Sequence, residues 1–192
     1  MKWSDWLAAL STAFWPLIPL FWLPLHLLPR VRKALGLFFY PVIVTLWLII
    51  AYLVLTRKIF AAAGVVNLPA PVRVLGAVSL LAGLLLQVLT ALYLGRRIIG
   101  LPHFRPSAAN TLVTEGPFRL CRHPTYLAHS LIFFGTFLLS GYLTVALVAL
   151  LDLLLTRLLI IPLEERELHE RFGKEYEAYC RETPKMLPGF RL

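Results

Sequence analysis

The sequence predicts an all-α, polytopic membrane protein with about five transmembrane helices and a C-terminal helical segment on the cytosolic side. Of its 192 residues, 59% are hydrophobic and only 15% are charged, and the mean hydropathy is +0.75. A soluble domain of this length needs more polar surface than that. Apolar stretches of roughly 20 residues, long enough to cross a bilayer core, also recur along the chain. The predicted spans are residues 7–28, 36–56, 72–94, 124–140 and 142–163.

The first predicted span has the features of a retained helix that is anchored at the membrane interface. Three prolines interrupt it, and it lacks the clean apolar core and small-residue cleavage site of a signal peptide. Trp6, Trp15 and Trp22 suit the boundary between membrane and water. The second and third spans carry no more specific pattern than their hydrophobicity.

The fourth and fifth spans predict a tight helical hairpin that turns at the Ser-Gly-Tyr sequence of residues 140–142. In the polar tail that follows, residues 164–180 have helical spacing, and Gly173 predicts a bend. The apolar stripe of this helix, which is typical of packing, consists of Leu168, Phe172 and Tyr176. We expect one membrane domain, in which residues 1–95 supply the first three spans and residues 96–192 supply a polar loop, the hairpin and the tail.

The distribution of lysine and arginine predicts an outer N-terminus and an inner C-terminus. With five alternating spans, 14 of these 19 residues fall inside and four outside, and Arg157 lies within a span. This asymmetry is the one that the positive-inside rule describes. The net charge of +9 therefore fits loops that face an anionic inner leaflet, and we expect no nucleic acid partner. Cys121 and Cys180 give neither a disulfide framework nor a metal-ligand spacing, so we expect no metal site.

The hairpin predicts which residues share a depth in the membrane. Antiparallel helices joined by so short a turn pair residues whose numbers sum to about 281, because both rise about 1.5 Å per residue. Glu164 then lies at the depth of Pro117, so the acidic start of the tail meets the basic stretch "GPFRLCRHP". His129 lies opposite Asp152 near mid-bilayer, where an ionisable group normally needs a partner. The two can form a structural hydrogen bond, line a substrate pocket, or point to separate faces.

Four segments of the C-terminal half carry a resemblance to a known family. They are "NTLVTEGPFRLCRHPTYLA", the apolar hairpin, "PLEERELHERFGKEYEAYC" and "TPKMLP", in that order. Together they resemble the isoprenylcysteine carboxyl methyltransferase and phospholipid methyltransferase family of integral membrane enzymes, over roughly residues 100–190. The resemblance implies a cytosol-facing pocket for S-adenosylmethionine that the C-terminal segments close. It also implies an apolar tunnel that admits a lipophilic acceptor (a carboxylate, an amine or a thiol) from the bilayer.

The resemblance also implies site residues. Those implied to contact the cofactor are His103, Asn110, Thr111, Leu112, Val113, Phe118, His123, Pro124, Thr125, Tyr126 and Glu164. The chemistry of the cofactor adds Arg122, because a pocket for this molecule needs acceptors for its cationic groups, donors for its carboxylate and an aromatic face. If the methyl acceptor is an amine, Glu164 or His123 is the candidate catalytic base that takes its proton.

Ile160 is the main departure from the family pattern. Carboxyl methyltransferases typically place an arginine there to anchor the substrate carboxylate, which isoleucine cannot do. On a regular helix Arg157 shares the face of Glu164, two turns away, and can substitute as a catalytic anchor. The predicted substrate pocket therefore consists of His129, Asp152, Arg157 and Ile160.

Two other functions fit parts of the pattern. Membrane sterol and steroid reductases, which take a nicotinamide cofactor, share an "RHP" stretch, a hairpin and a tail ending in "YC". They tend to have Arg-Asp where this chain has Glu164 and Glu165, so the tail favours the methyltransferases. A non-catalytic, lipid-binding membrane protein on the same frame is the second alternative. In that case Arg122 binds lipid phosphate and His123-Pro124 only starts a helix.

Overall fold

The described part of the chain is built from helices and short turns. A computed structural model describes residues 2–100, 104 and 111–187, and within these residues it has nine α-helices. They are α1 (Trp3–Phe14), α2 (Leu17–Leu27), α3 (Pro29–Leu35), α4 (Phe39–Thr56), α5 (Ala70–Leu94), α6 (Pro124–Ser140), α7 (Leu143–Leu155), α8 (Ile161–Phe172) and α9 (Lys174–Glu182). The predicted all-α class is confirmed.

The apolar helices match the predicted spans, although the second begins seven residues earlier than predicted, at Pro29. Four continuous helical stretches in the described residues are long and apolar enough to cross a membrane, and α6 is a shorter apolar helix. The four stretches are Trp3–Leu27, Pro29–Thr56, Ala70–Leu94 and Leu143–Phe172. The first is divided between α1 and α2 at Trp15-Pro16, because proline has no N–H to continue the helical hydrogen bonds. The last continues beyond the predicted end at residue 163, into the polar tail.

Helices α5 and α6 approach each other to backbone contact. A Cβ on Gly135 of α6 would lie 2.5 Å from the backbone nitrogen of Leu80 on α5. A Cβ on Gly83 of α5 would lie 2.9 Å from the carbonyl oxygen of Ala128. The Ser79 hydroxyl also donates across this interface to the carbonyl oxygen of Leu131, at 2.9 Å. Small residues in these positions therefore allow the close helix packing that membrane proteins use.

The α6–α7 turn is tied to the segment that precedes α5. Gly141 adopts a φ of 74°, which favours glycine, and closes the predicted hairpin. The Val66 N–H donates to the carbonyl oxygen of Gly141 at 2.9 Å, and the Leu143 N–H donates to the carbonyl oxygen of Gly64 at 3.1 Å. The Tyr142 hydroxyl donates to Asp5 of α1 at 2.9 Å. The turn end of the hairpin is therefore fixed, and the opposite end carries the polar tail.

A π-helical segment, Thr156–Ile160, connects α7 to α8 without a break in the helix. Its hydrogen bonds run from i to i+5, so it holds one residue more per turn than the α-helical pattern. Gly173, with a φ of 51°, ends α8, and α9 then begins in a new direction. The predicted bend is confirmed, and it lies where the tail folds back towards the start of α6.

Candidate active site

A cavity of about 690 Å³ lies at the end of the bundle opposite the Gly141 turn. Small-molecule sites typically have volumes of about 300–1,000 Å³. Its walls come from α2 and α3, the end of α5, the loop before α6, the start of α6, and the tail helices α8 and α9. The two distant segments that the sequence analysis expected to meet, the loop before α6 and the start of the tail, therefore share one cavity.

Most of the predicted cofactor residues line this cavity. They are Thr111, Leu112, Val113, Phe118, Arg122, His123, Thr125, Tyr126 and Glu164. Pro124 does not line it: this residue occupies the first turn of α6 and is fully buried there, so it starts the helix. His103 and Asn110 lie outside the described residues.

The loop wall is held by polar and aromatic contacts. Arg97 donates from its two terminal nitrogens to the carbonyl oxygen of Thr111 at 2.8 Å and to its hydroxyl at 3.0 Å. Phe118 packs in a buried cluster with Tyr176 and Tyr179 of α9. The Tyr179 hydroxyl donates to the Phe118 carbonyl oxygen at 2.6 Å. The predicted apolar stripe of the tail, to which Tyr176 belongs, thus packs against the loop.

Glu165 is the polar centre of the junction between tail and loop. Its Oε1 accepts hydrogen bonds from Arg122 at 2.8 and 3.1 Å and lies 3.2 Å from Nε2 of His123. Its Oε2 lies 2.8 Å from the ammonium group of Lys185. Three cationic or ionisable partners therefore meet at one carboxylate, whose side chain is only 18% exposed. Glu164 is among the predicted site residues, whereas Glu165 is a site residue that the sequence pattern does not single out.

Arg122 fastens the C-terminal segment to the same place. Its Nη1 donates to the carbonyl oxygens of Cys180 and Thr183, at 3.1 and 2.7 Å. The backbone N–H of Arg122 donates to the carbonyl oxygen of Pro184 at 2.9 Å. The backbone N–H of the next residue, His123, donates to the carbonyl oxygen of Lys185 at 3.1 Å. Most of the donor capacity of Arg122 is thus committed to the protein itself. It lines the cavity chiefly as a positioning residue.

His123 lies between the two tail carboxylates. Its Nδ1 is 3.5 Å from Oε2 of Glu164, and its Nε2 is 3.2 Å from Oε1 of Glu165. Burial of the imidazole acts to lower its pKa, but hydrogen bonds and charge interactions with the two carboxylates outweigh burial. The net result is a His123 pKa above the ordinary 6.5, which favours the protonated ring.

The N-terminal helices complete the cavity, and the sequence analysis missed their contribution. Trp22 of α2 and the basic pair Arg32 and Lys33 of α3 all line it. His26, also on α2, reaches the tail through a hydrogen bond of 2.9 Å between its Nδ1 and Oε1 of Glu167 on α8. Interface anchoring and the positive-inside rule already accounted for these residues, so no separate signal marked them as part of a site.

Arg157 and Ile160 do not line the cavity. Arg157 is exposed, whereas Ile160 is fully buried in a cluster with Ile18, Tyr126 and Phe133. The expectation that Arg157 shares the face of Glu164 assumed a regular α-helix between them. The π-helical segment breaks that regularity, and the structure does not bring Arg157 to the site.

The predicted pair of His129 and Asp152 does not form. Asp152 is fully buried, and neither of its carboxylate oxygens has a hydrogen-bond partner among the described residues. The same holds for Nδ1 of His129, whose ring contacts Tyr126 edge-on at 6.1 Å between centroids. Asp152 lies beside Trp15 of α1. A shared depth fixes only the height of two side chains, and not the direction in which each points.

The groups around the cavity match the chemical needs of S-adenosylmethionine. Carboxylates and guanidinium groups both line it, as a molecule with a carboxylate and two cationic centres requires. Phe118 and Tyr126 supply aromatic surface. The buried Tyr126 hydroxyl has no hydrogen-bond partner among residues 2–100, 104 and 111–187, and Oε2 of Glu164 has only the long contact with His123 there. Such atoms normally pair with something, so these residues fit a polar ligand. Within the same residues, no group of three or more His, Cys, Asp and Glu side chains is arranged to hold a metal.

Comparison with known proteins identifies the family. Residues 72–175, more than half of the chain, match the sequence profile of the family described as phospholipid methyltransferase. The chain belongs to this family. The matched range contains the α5–α6 interface, the hairpin and the wall residues from Thr111 to Glu164, so the shared sequence includes most of the cavity. It ends within α9 and excludes the N-terminal helices.

Several curated proteins are similar to this family member over part of their length. The chain is 39% identical to the cobalt-zinc-cadmium resistance protein CzcN of Cupriavidus metallidurans over 83 residues, 43% of this chain and 38% of that protein. It is 30% identical to the probable protein-S-isoprenylcysteine O-methyltransferase of Oryza sativa subsp. indica over 119 residues, 61% of each chain. The matches therefore cover less than two thirds of these relatives. No solved structure matches the chain.

Proposed function

We propose that the protein is an S-adenosylmethionine-dependent methyltransferase that acts on a lipophilic acceptor delivered from the bilayer. The observation that supports this most directly is the shared cavity, in which loop residues up to Tyr126 and the tail residue Glu164 form one wall. These are the positions that the family resemblance implies for the cofactor. The N-terminal helices and the C-terminal half act together as one membrane domain in this proposal, because both line the cavity.

The cofactor brings the reactive bond. A lone pair of the acceptor forms a bond to the methyl carbon of the cofactor, and the bond between this carbon and the sulfur breaks. The sulfur keeps the electrons of the broken bond and loses its positive charge. The protein therefore has to bind, orient and exclude water. Phe118 and Tyr126 provide apolar ring surface, and Glu164 provides a carboxylate for a cationic group. Arg122 and Glu165 hold the tail in place over the cavity.

The acceptor is a carboxylate, an amine or a thiol in this proposal. A carboxylate has no anchoring cation at Ile160, which is buried in apolar contacts, or at Arg157, which lies away from the cavity. An amine has to lose a proton, and Glu164 is the candidate acceptor that is already deprotonated, because its interactions with His123 outweigh burial and hold its pKa below the usual range. His123, whose pKa is raised, already holds a proton over a wider pH range.

We also propose that the N-terminus lies outside the membrane and the C-terminus inside, with the cavity facing the cytosol. The excess of lysine and arginine on the inner segments supports this orientation. A cytosolic opening lets a water-soluble methyl donor enter beside the tail, while the acceptor arrives from the bilayer.

Ligand-induced stabilisation tests the cofactor. A ligand at about 100 times its dissociation constant adds about 2.7 kcal/mol to the free energy of unfolding. Thermal unfolding of the purified protein in detergent is expected to shift upwards with S-adenosylmethionine and not with a reduced nicotinamide. A shift with the nicotinamide alone would favour the reductase alternative, and no shift with either would favour a non-catalytic lipid-binding protein.

Glu164→Gln tests the site. The variant is expected to bind S-adenosylmethionine about tenfold more weakly, since a charge-assisted contact worth about 1.5–3 kcal/mol becomes a neutral one. Glu175→Gln, at an exposed position of α9 that does not line the cavity, is the matched control and should bind normally. Equal affinities in a titration of both variants would contradict the assignment of Glu164. A separate experiment, transfer of a labelled methyl group into a total lipid extract, would identify the acceptor.

A further inference from the structure

Trp22 holds a fixed place in the cavity wall although it lies outside the range that matches the family. Its ring centroid is 6.1 Å from that of Tyr126, at an interplanar angle of 75°. On its own helix it stacks on His26, with centroids 5.7 Å apart and planes 11° from parallel. His26 is in turn held by its hydrogen bond with Glu167. The indole is thus fixed between α2, α6 and α8, and it lines the cavity.

Two buried side-chain oxygens lie in the same part of the cavity wall. They are the Tyr126 hydroxyl, which has no hydrogen-bond partner in the described part of the chain, and Oε2 of Glu164, which lies 3.5 Å from Nδ1 of His123. Tyr126 as a whole is only 2% exposed. The two side chains lie close enough to interact electrostatically. The 3.5 Å contact with His123 is at the long limit of a hydrogen bond, so a cation in the adjoining space would add a further attraction to this carboxylate.

We propose that Trp22, Tyr126 and Glu164 form an onium site, which binds the positively charged sulfur of the methyl donor in preference to an uncharged sulfur. This inference rests on the proposed function. Cations are attracted to the faces of tryptophan and tyrosine rings, and tryptophan attracts them most strongly. A carboxylate that lines the same cavity, close to Tyr126, adds direct charge attraction.

The onium site distinguishes the donor from its product. Methyl transfer converts a positively charged sulfonium into a neutral thioether, so cation–π and carboxylate attraction are both lost when the bond to the methyl carbon breaks. The rest of the molecule is unchanged and keeps its other contacts. The site therefore favours entry of the charged donor and release of the spent one, and it assigns this task partly to an N-terminal helix.

Calorimetric titration of the purified, full-length protein tests the proposal, with S-adenosylmethionine and S-adenosylhomocysteine as the two probes. Trp22→Leu is expected to weaken binding of the charged donor about tenfold and that of the thioether less than about twofold. Trp22→Phe, which keeps an aromatic face, should recover part of the lost affinity. Trp6→Leu is the matched control, because Trp6 is 54% exposed on α1 and does not line the cavity.

A second variant keeps the test valid if Trp22→Leu fails to fold. Glu164→Gln keeps the shape of the side chain and should also weaken donor binding more than thioether binding. Equal losses for both ligands, or no loss for either, would overturn the onium site while leaving the proposed function intact. A wild-type protein that binds neither ligand would refute the proposed function itself.

Discussion

Replacing Glu165 with glutamine should loosen the tail from the loop before α6. Glu165 accepts two hydrogen bonds from Arg122 and one from His123, and it pairs with Lys185. Glutamine keeps the size and one acceptor oxygen but loses the charge. Charge-assisted hydrogen bonds are roughly twice as strong as neutral ones, and each contributes about 1.5–3 kcal/mol.

The expected loss follows from how buried each partner is. The Arg122 and Glu165 side chains are 11% and 18% exposed, so their attraction is weakly screened, and His123 is 3% exposed. Halving the strength of the three hydrogen bonds from Arg122 and His123 lowers the free energy of unfolding by about 3 kcal/mol. Lys185 is 45% exposed and adds at most about 1 kcal/mol. In a protein of this size the main loss corresponds to a decrease of about 10 °C in the unfolding midpoint.

Tryptophan fluorescence during heating in detergent measures this change. Glu170→Gln is the matched control: Glu170 pairs with Arg166 at 2.9 Å, but both side chains are more than half exposed. Its replacement should cost no more than about 0.5 kcal/mol. Trypsin should also cleave near Lys185 faster in Glu165→Gln than in the control. If the two variants unfold within about 2 °C of each other, Glu165 does not hold the junction.

Two further changes test other parts of the structure. Because the folded protein raises the pKa of His123 above 6.5, its contribution to stability is complete below about pH 6.5 and is lost as the pH rises through the raised value. Unfolding midpoints from about pH 6 to about pH 9 should therefore fall, and His123→Gln should remove this part of the slope; an unchanged slope would contradict it. Gly135→Ala should cost about 3 kcal/mol, since its Cβ would meet the α5 backbone at 2.5 Å. Gly173→Ala has open space and tests backbone strain alone, because its φ of 51° and ψ of −122° are rarely adopted by L residues, and it should cost about 1–3 kcal/mol; a Gly135→Ala midpoint equal to that of the wild type would refute the packing argument.

The elements that the sequence predicts well are those fixed by local rules. Apolar length gave the spans, the Ser-Gly-Tyr sequence at residues 140–142 gave the turn, and Gly173 gave the bend. The antiparallel depth rule also predicted that Glu164 would meet the loop before α6, and the structure places it 3.5 Å from His123. A uniform rise per residue is sufficient for these inferences.

The failures concern direction around a helix and contacts between distant helices. The prediction for Arg157 relied on regular α-helical periodicity, which the π-helical segment interrupts. The sequence "TRLLI" contains no pattern that predicts a π-helix. Asp152 was paired by depth alone, but it faces Trp15 rather than His129. Trp22 reaches the cavity only because α2 packs beside α6 and α8, and that arrangement depends on tertiary packing.

The π-helical segment divides one long helix into two parts whose orientations are set separately. Upstream, α7 keeps the contacts that anchor it in the bundle, and downstream α8 carries the carboxylates. Because the wide turn accommodates one residue more than an α-helical turn, deleting one residue within 156–160 would restore ordinary α-helical winding and leave the facing of α8 nearly unchanged. The π-helical turn thus lets the carboxylate-bearing end of the helix face the cavity while the membrane-embedded end keeps its own packing, without an interruption of the helix between them.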